Sequence, residues 1–239
     1  MKTSLFRKIF RITILITLGG SFSIFPSLWA QEKAHPEILL GLNASKINGG
    51  YIAGSPGMTP SNENLGWQLG IGIRYRYANY LDLLPQLEFV KKGSKWGKPT
   101  LAMTYEGDYI IYELSYLQFT LNHAFHLCGS QKRGIDFLVG AYGAYLLNAG
   151  ETWVFEYTPE GGLPQGDLTG YLSDWDFGLS FGIRIFSVKG RSSITLRYDH
   201  GLKMVNKSAE KRAFYDFEEK SDQRMRAVFL TLGIKLKSF

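Results

Sequence analysis

Asp174-Trp175-Asp176-Phe177-Gly178-Leu179-Ser180-Phe181-Gly182-Ile183-Arg184-Ile185 alternates without a break. Trp175, Phe177, Leu179, Phe181, Ile183 and Ile185 fall on one side of an extended strand, and Asp174, Asp176, Gly178, Ser180, Gly182 and Arg184 on the other. A four-residue connection around Lys189-Gly190 turns the chain. The pattern then resumes, with Ile194, Leu196 and Tyr198 opposite Ser193, Thr195, Arg197 and Asp199. A long hairpin with one greasy and one charged face needs an apolar medium on one side and a polar interior on the other. An outer membrane supplies both.

Six further stretches extend the reading. Residues 37–47 set Leu40, Leu42 and Ala44 against Gly41, Asn43 and Ser45. In 65–77, Trp67, Leu69, Ile71, Ile73, Tyr75 and Tyr77 oppose Gln68, Gly70, Gly72, Arg74 and Arg76. Leu83, Pro85, Leu87 and Phe89 alternate with Leu84, Gln86 and Glu88, and Pro85, which has no N–H for a ladder, predicts a bulge. Over 109–125, Leu117, Phe119 and Leu121 oppose Gln118, Thr120 and Asn122, while Tyr112, Leu114 and Tyr116 have the other parity and predict a bulge near Tyr116. Residues 135–148, rich in Gly and Ala, leave their facing open. Trp153, Phe155 and Tyr157 suggest that this strand continues past the membrane. The opening hairpin supplies strands six and seven, and 224–237 is the eighth, with Val228, Leu230, Leu232, Ile234 and Leu236 on one side.

The connections are long and polar after strands one, three, five and seven (48–64, 93–108, 149–172 and 207–223) and shorter after two, four and six. That asymmetry predicts an all-β fold, an eight-stranded antiparallel up-and-down transmembrane β-barrel, with long loops outside the cell and both termini on the periplasmic side. The lumen of so small a barrel is filled by side chains, and Arg74, Arg76, Glu88, Asp174, Asp176, Arg184, Arg197, Asp199 and Lys235 are expected to share it as a charge network. A soluble periplasmic ligand-binding barrel, with its apolar face inward, is the alternative that strand parity leaves open.

Residues 1–30 read as a Sec signal peptide: Lys2, Arg7, Lys8 and Arg11 precede a short apolar run, and Ala30 closes a cleavage site. The barrel domain is then 31–239. The leader holds four of the 27 Lys and Arg residues and none of the 21 Asp and Glu, which leaves 23 against 21. The sequence pI of about 9.2 is thus partly an export signal, and nucleic acid is not an expected partner. The single Cys128 excludes an intramolecular disulfide and reads as a small apolar residue.

Nothing in the sequence selects an active site or a cofactor. His123 and His126 point to opposite faces of a strand, as do Asp199 and His200, so neither pair makes a metal site or an acid–base couple. Gly178-Leu179-Ser180-Phe181-Gly182 has the Gly-x-Ser-x-Gly spacing but lies within an alternating strand, not at a strand-to-helix turn, so it makes no nucleophile elbow. Asn43-Ala44-Ser45 and Asn206-Lys207-Ser208 match the glycosylation pattern, which carries little meaning in a bacterial outer membrane. The basic run from Lys91 to Lys95 ends beside Trp96, where strand three leaves the membrane, and reads as a solvated strand end with Trp96 as interfacial anchor, the alternative being contact with anionic lipid headgroups or polysaccharide phosphates.

Several segments resemble the PorT-like outer membrane β-barrel proteins of Bacteroidetes. Leu87-Glu88-Phe89-Val90-Lys91-Lys92-Gly93 is similar to the strand that ends that family's Lys-Lys-Gly. Tyr116-Leu117-Gln118-Phe119-Thr120 is similar to its Tyr-Leu-Glu-Ile-Pro, with Gln118 and Thr120 replacing the Glu and Pro. Gly140-Ala141-Tyr142-Gly143-Ala144-Tyr145-Leu146-Leu147 resembles its fifth strand, Asp176-Phe177-Gly178 with Gly182 its sixth, and Arg197-Tyr198 with Gly201-Leu202 its seventh. Phe239 shares the parity of Lys235 and Lys237, so the last strand is expected to end at Leu236 rather than on the usual terminal aromatic. The signal peptide, the eight alternating segments and the loop asymmetry together point to an integral outer membrane barrel without enzymatic activity, surrounded by outer membrane lipids and acting through its external loops or as part of an envelope complex; the resemblance implies the same location and fold. In one branch it implies assistance to secretion and gliding. A barrel hydrolase or acyltransferase is the enzyme alternative.

Overall fold

The computed structural model describes residues 34–48, 59–78, 80–97, 109–130, 133–154, 165–169, 172–187, 190–205 and 224–236, without the side chains of 59–62, 77, 96, 128–130, 133, 165 and 204. The leader and residues 31–33, most of the long loops, the side chain of Cys128 and the final aromatic lie outside them.

Among the described residues there are nine strands: β1 (Ala34–Asn48), β2 (Thr59–Ala78), β3 (Leu81–Gly97), β4 (Tyr109–Ser130), β5 (Arg133–Val154), β6 (Gln165–Asp167), β7 (Trp175–Phe186), β8 (Ser192–Met204) and β9 (Arg224–Lys235). Eight close a ring. Each long strand pairs antiparallel with its neighbours in the chain, β4 with β5 and β5 with β7 included, and β9 returns to β1 from Glu37↔Lys235 to Asn48↔Arg224. The ninth, β6, pairs only with Gly150, Glu151 and Thr152 of β5 at the long-loop end. Closure leaves the spanning strands no free edge, as a membrane requires.

The predicted facing is present around the ring. Leu42, Leu65, Trp67, Ile71, Leu117, Phe119, Ile185 and Leu230 are exposed on the outside, whereas Gln68, Arg74, Gln118, Thr120, Asn122 and Ser180 are buried inside. Apolar out and polar in is the inverse of a soluble barrel, which removes the periplasmic ligand-binding alternative.

Two expected irregularities differ. Pro85 introduces no bulge: Gly72↔Gln86 and Tyr75↔Leu83 keep one register across it, and Pro85 still faces Leu121 of β4. Near Tyr116 there is a shift, but it sits on β5. Ser115 faces Asn148 and Tyr116 faces Leu146, so Leu147 is the extra residue, while the β3–β4 ladder runs through unbroken. Tyr112, Leu114 and Tyr116 therefore stay on the inward side with Gln118 and Thr120, where the alternation had suggested they turn out.

The strands also outrun the alternation that reveals them. β2 begins at Thr59 rather than Leu65, β3 reaches Gly97 rather than ending before Gly93, and β4 and β5 have 22 residues each. Beyond the hydrocarbon a strand needs hydrogen bonds but no apolar face, so pairing persists where the pattern has ended. The wall from β2 to β5 is tall, and β7, β8 and β9, with 12, 13 and 12 residues, form a low one.

Between β7 and β8, Ser187 N–H donates to Ser192 O at 2.9 Å and Gly190 N–H to Ser187 O at 2.8 Å. Gly190 turns the chain with φ of 62°, a conformation costly for any residue with a Cβ. On β7, a Cβ at Gly178 would lie 2.1 Å from the carbonyl of His200 and 2.7 Å from the ring of Tyr142, so the Tyr142 ring lies over a strip of bare backbone.

Candidate functional site

The described lumen has three storeys. At the short-turn end Arg74 is paired with Asp82, and Arg76 Nε reaches the other Asp82 oxygen at 3.1 Å. His126 stands between two carboxylates, with Nδ1 2.5 Å from Asp136 Oδ1 and Nε2 3.4 Å from Asp82 Oδ2. Arg74 also approaches Asp136 at 3.9 Å. Across the lumen Arg184 is paired with Glu37. The ring of Phe186 lies 4.2 Å from the Arg74 guanidinium and 4.9 Å from that of Arg184, separating the two cations on one aromatic spacer.

The middle storey centres on Arg197. Its Nη1 is 2.9 Å from Glu88 Oε2, and its Nε is 3.2 Å from Asp199 Oδ1. Gln118 Nε2 donates to Asp199 Oδ2 at 2.8 Å, and Thr120 donates to Glu88 at 3.3 Å, so β4 holds both carboxylates, Glu88 on the adjacent β3 and Asp199 on β8 across the lumen. Above them Lys92 is buried with Nζ 3.9 Å from Asp176 and 4.7 Å from the centre of Tyr142. Tyr142 donates its hydroxyl to the same Asp176 oxygen at 3.1 Å. Each buried charge is thus brought against an opposite one, the condition under which a low-dielectric interior tolerates it.

The upper storey is apolar. Ile110, Tyr112, Leu114, Tyr116, Leu146 and Met225 pack into one cluster, and Leu168 and Leu172 join it from the segment between β6 and β7. That segment is tied down: Leu168 N–H donates to Ala149 O at 3.0 Å, and Ser173 N–H to Val205 O at 2.6 Å. The apolar half of β4, the feature that had suggested a face reversal, is the floor of this plug.

Of the expected lumen charges, Arg74, Glu88, Asp176, Arg184, Arg197 and Asp199 are buried inside, and Arg76 and Lys235 are partly buried near the short-turn end. Asp174 is exposed at a bend before β7 starts, so it is not among the buried charges. Glu37, Asp82, Lys92, His126 and Asp136 are members that the sequence reading did not assign. Lys92 shares the parity of Glu88, and Glu37 that of Gly41 and Asn43, which was the available signal. Asp136 sits on the strand whose facing was open, and only its pairing across from Arg184 settles it.

His123 faces outward and His126 inward, and no cluster of three metal-binding side chains exists among the described residues. Asn43 is buried with its amide donating to Lys91 O at 2.9 Å, so the first glycosylation pattern is a lumen contact. The basic run divides by parity: Lys91 is outside near Glu113 at 3.4 Å, while Lys92 is inside.

A family model described as the outer membrane protein beta-barrel domain matches residues 29–205. The chain belongs to that family. It is accordingly a protein of the Gram-negative outer membrane, crossing the bilayer with the eight long strands. Among solved structures it is similar to Ail, the attachment invasion locus protein of Yersinia pestis, at 13% identity and TM-score 0.41, covering 85% of this chain and 99% of that one. It is also similar to Neisserial surface protein A, at 8% identity and TM-score 0.39, covering 86% and 100%. The outer membrane protease OmpT of Escherichia coli matches at 11% identity and TM-score 0.42, covering 86% and 97%. These likenesses concern the fold alone. No curated protein matches the chain.

Proposed function

We propose that this protein is a non-enzymatic integral outer membrane barrel, closed through its middle, that acts through its external face or as a component of an envelope complex. The observation that carries this reading is the filling of the lumen: paired charges occupy two storeys, and an apolar plug that includes Leu168 and Leu172 and is tied down at Leu168 and Ser173 fills the third. Titratable groups held in pairs beneath such a plug serve the wall rather than a substrate. Outer membrane lipids surround it, and envelope proteins are the partners its external loops would meet. Reconstituted in planar bilayers, the full chain is expected to give no large steady conductance; stable open channels would overturn the closed-lumen reading.

A PorT-like accessory role in secretion and gliding is the second reading, supported by the order of the Lys91-Lys92-Gly93, Asp176-Phe177-Gly178 and Arg197-Tyr198 segments along the chain. Deleting the gene and measuring secreted protein and colony spreading tests it. Unchanged secretion and motility would leave the general reading standing and remove this one.

A further inference from the structure

Paired residues on adjacent antiparallel strands stand side by side on one face, so the outside of β1, β9 and β8 is laid out in rows. Three successive rows are apolar: Leu40, Leu232 and Ile194; Leu42, Leu230 and Leu196; Ala44, Val228 and Tyr198. The next row toward the long loops is Lys46, Arg226 and His200. The change from grease to charge takes two residues on each strand, about 7 Å. Arg226 is exposed, and Lys46 and His200 are partly so. Lys46 lies 3.4 Å from Glu63 in a pair open to solvent on both sides, with side chains 41% and 56% exposed, the kind that a stronger anion displaces at little cost. With its amide turned to accept, Asn48 takes hydrogen bonds from Arg226 Nε and Nη1 at 2.8 and 3.0 Å, which directs the guanidinium along the outer face.

Below this row, across β8, β9, β1 and the neighbouring β2, is an open groove of about 610 Å³ whose walls include Leu40, Leu42, Trp67, Leu230, Leu232 and Ile194. The groove is lined mainly by apolar side chains, with Gln68 and Thr231 also part of its lining, whereas the row above it selects an anion. An occupant that satisfies both must carry hydrocarbon and phosphate within one molecule, two rows or about 13 Å apart along the strands.

We infer that this face holds one phosphorylated glycolipid of the outer leaflet, with an acyl chain in the groove and a phosphate against Lys46, Arg226 and His200. The Arg226 guanidinium supplies the planar fork that suits phosphate oxygens, and Lys46 adds a point charge beside it. The inference rests on the reading that the long-loop end faces outside the cell.

The full chain, purified in a nonionic detergent, is titrated with bisphosphorylated lipid A, and bound lipid is counted by native mass spectrometry. One lipid per barrel is expected. Lys46→Gln combined with Arg226→Gln is expected to weaken binding about tenfold, and Arg226→Lys alone by only about twofold. Leu230→Phe, which fills the groove with apolar volume, is expected to weaken binding about fivefold. Each variant is first shown to be folded by its heat-modifiable mobility. Dephosphorylated lipid A should bind the unaltered chain no better than lipid A binds the double variant. Equal binding of the two lipids, an unaffected double variant, or phosphatidylglycerol binding as tightly as lipid A would overturn the inference. Orientation is read separately, by labelling Glu63→Cys in a Cys128→Ala background on intact cells with an impermeant maleimide. Labelling leaves the orientation standing whatever the lipid result, whereas labelling only after lysis overturns both.

Discussion

Arg197 shows how much a single side chain carries here. Its guanidinium meets Glu88 and Asp199 from β3 and β8 and lies 4.4 Å from the ring centre of Phe229 on β9. Removing one carboxylate leaves a buried cation with incomplete compensation, which costs about 3–5 kcal/mol when a buried pair is broken. Asp199→Ala is therefore expected to lower the stability of the folded barrel by that order, measured as the urea midpoint of refolding into lipid vesicles. Asp199→Asn, which can still accept the Gln118 hydrogen bond, should lose less; equal losses would mean that charge is not the cause. The importance of Arg197 was legible from its parity with Asp199. Its pairing with Glu88 was not, because the partners are 109 residues apart in the chain and only ring closure brings them together.

At the scale of elements, the segment from β6 to β7 differs most from its sequence appearance. Residues 149–172 read as a polar loop whose start continues the strand, and β5 does run on to Val154; not expected were β6, which pairs with it, and Leu168 and Leu172, which fold inward onto the plug. Asp167 shapes the turn by accepting from the Thr169 hydroxyl at 2.6 Å and its N–H at 2.9 Å. The hydroxyl bond first, and then the backbone one, hold this carboxyl below its ordinary value. Because the folded value is the lower one, the stabilisation is present above the unfolded carboxylate value and is lost as pH falls through the folded value. The Thr169 amide is thus expected to exchange faster in Asp167→Asn than in the unaltered chain at neutral pH, with the difference vanishing in strong acid. A difference that persists there would assign the protection to the β5–β6 ladder instead. Two apolar residues in a Gly- and Pro-rich stretch carry no periodicity, which is why this fold-back left no trace in the alternation.

For the molecule as a whole, a closed ring of hydrogen bonds around a paired interior predicts cooperative resistance to detergent. Unheated samples in dodecyl sulfate should migrate faster than boiled ones and partition with the outer membrane fraction; identical mobilities would contradict a closed barrel. The amino-acid sequence alone determined the strand count of the ring, the outward apolar face, the alternation of long and short connections and most of the lumen charges. Each depends on the period-2 geometry of a strand, which is local. Tertiary structure decided what local geometry does not contain: the extra residue at Leu147, the strand lengths outside the bilayer, the inward plug built on Tyr112, Leu114 and Tyr116, and the partner of each buried charge. The same parity that marked Asp174, Arg184 and Asp199 as one polar face placed two of them in the lumen, while Asp174, just ahead of the first residue of β7, stayed exposed. Facing is a property of a paired strand, and pairing is set by neighbours that lie far away in the chain.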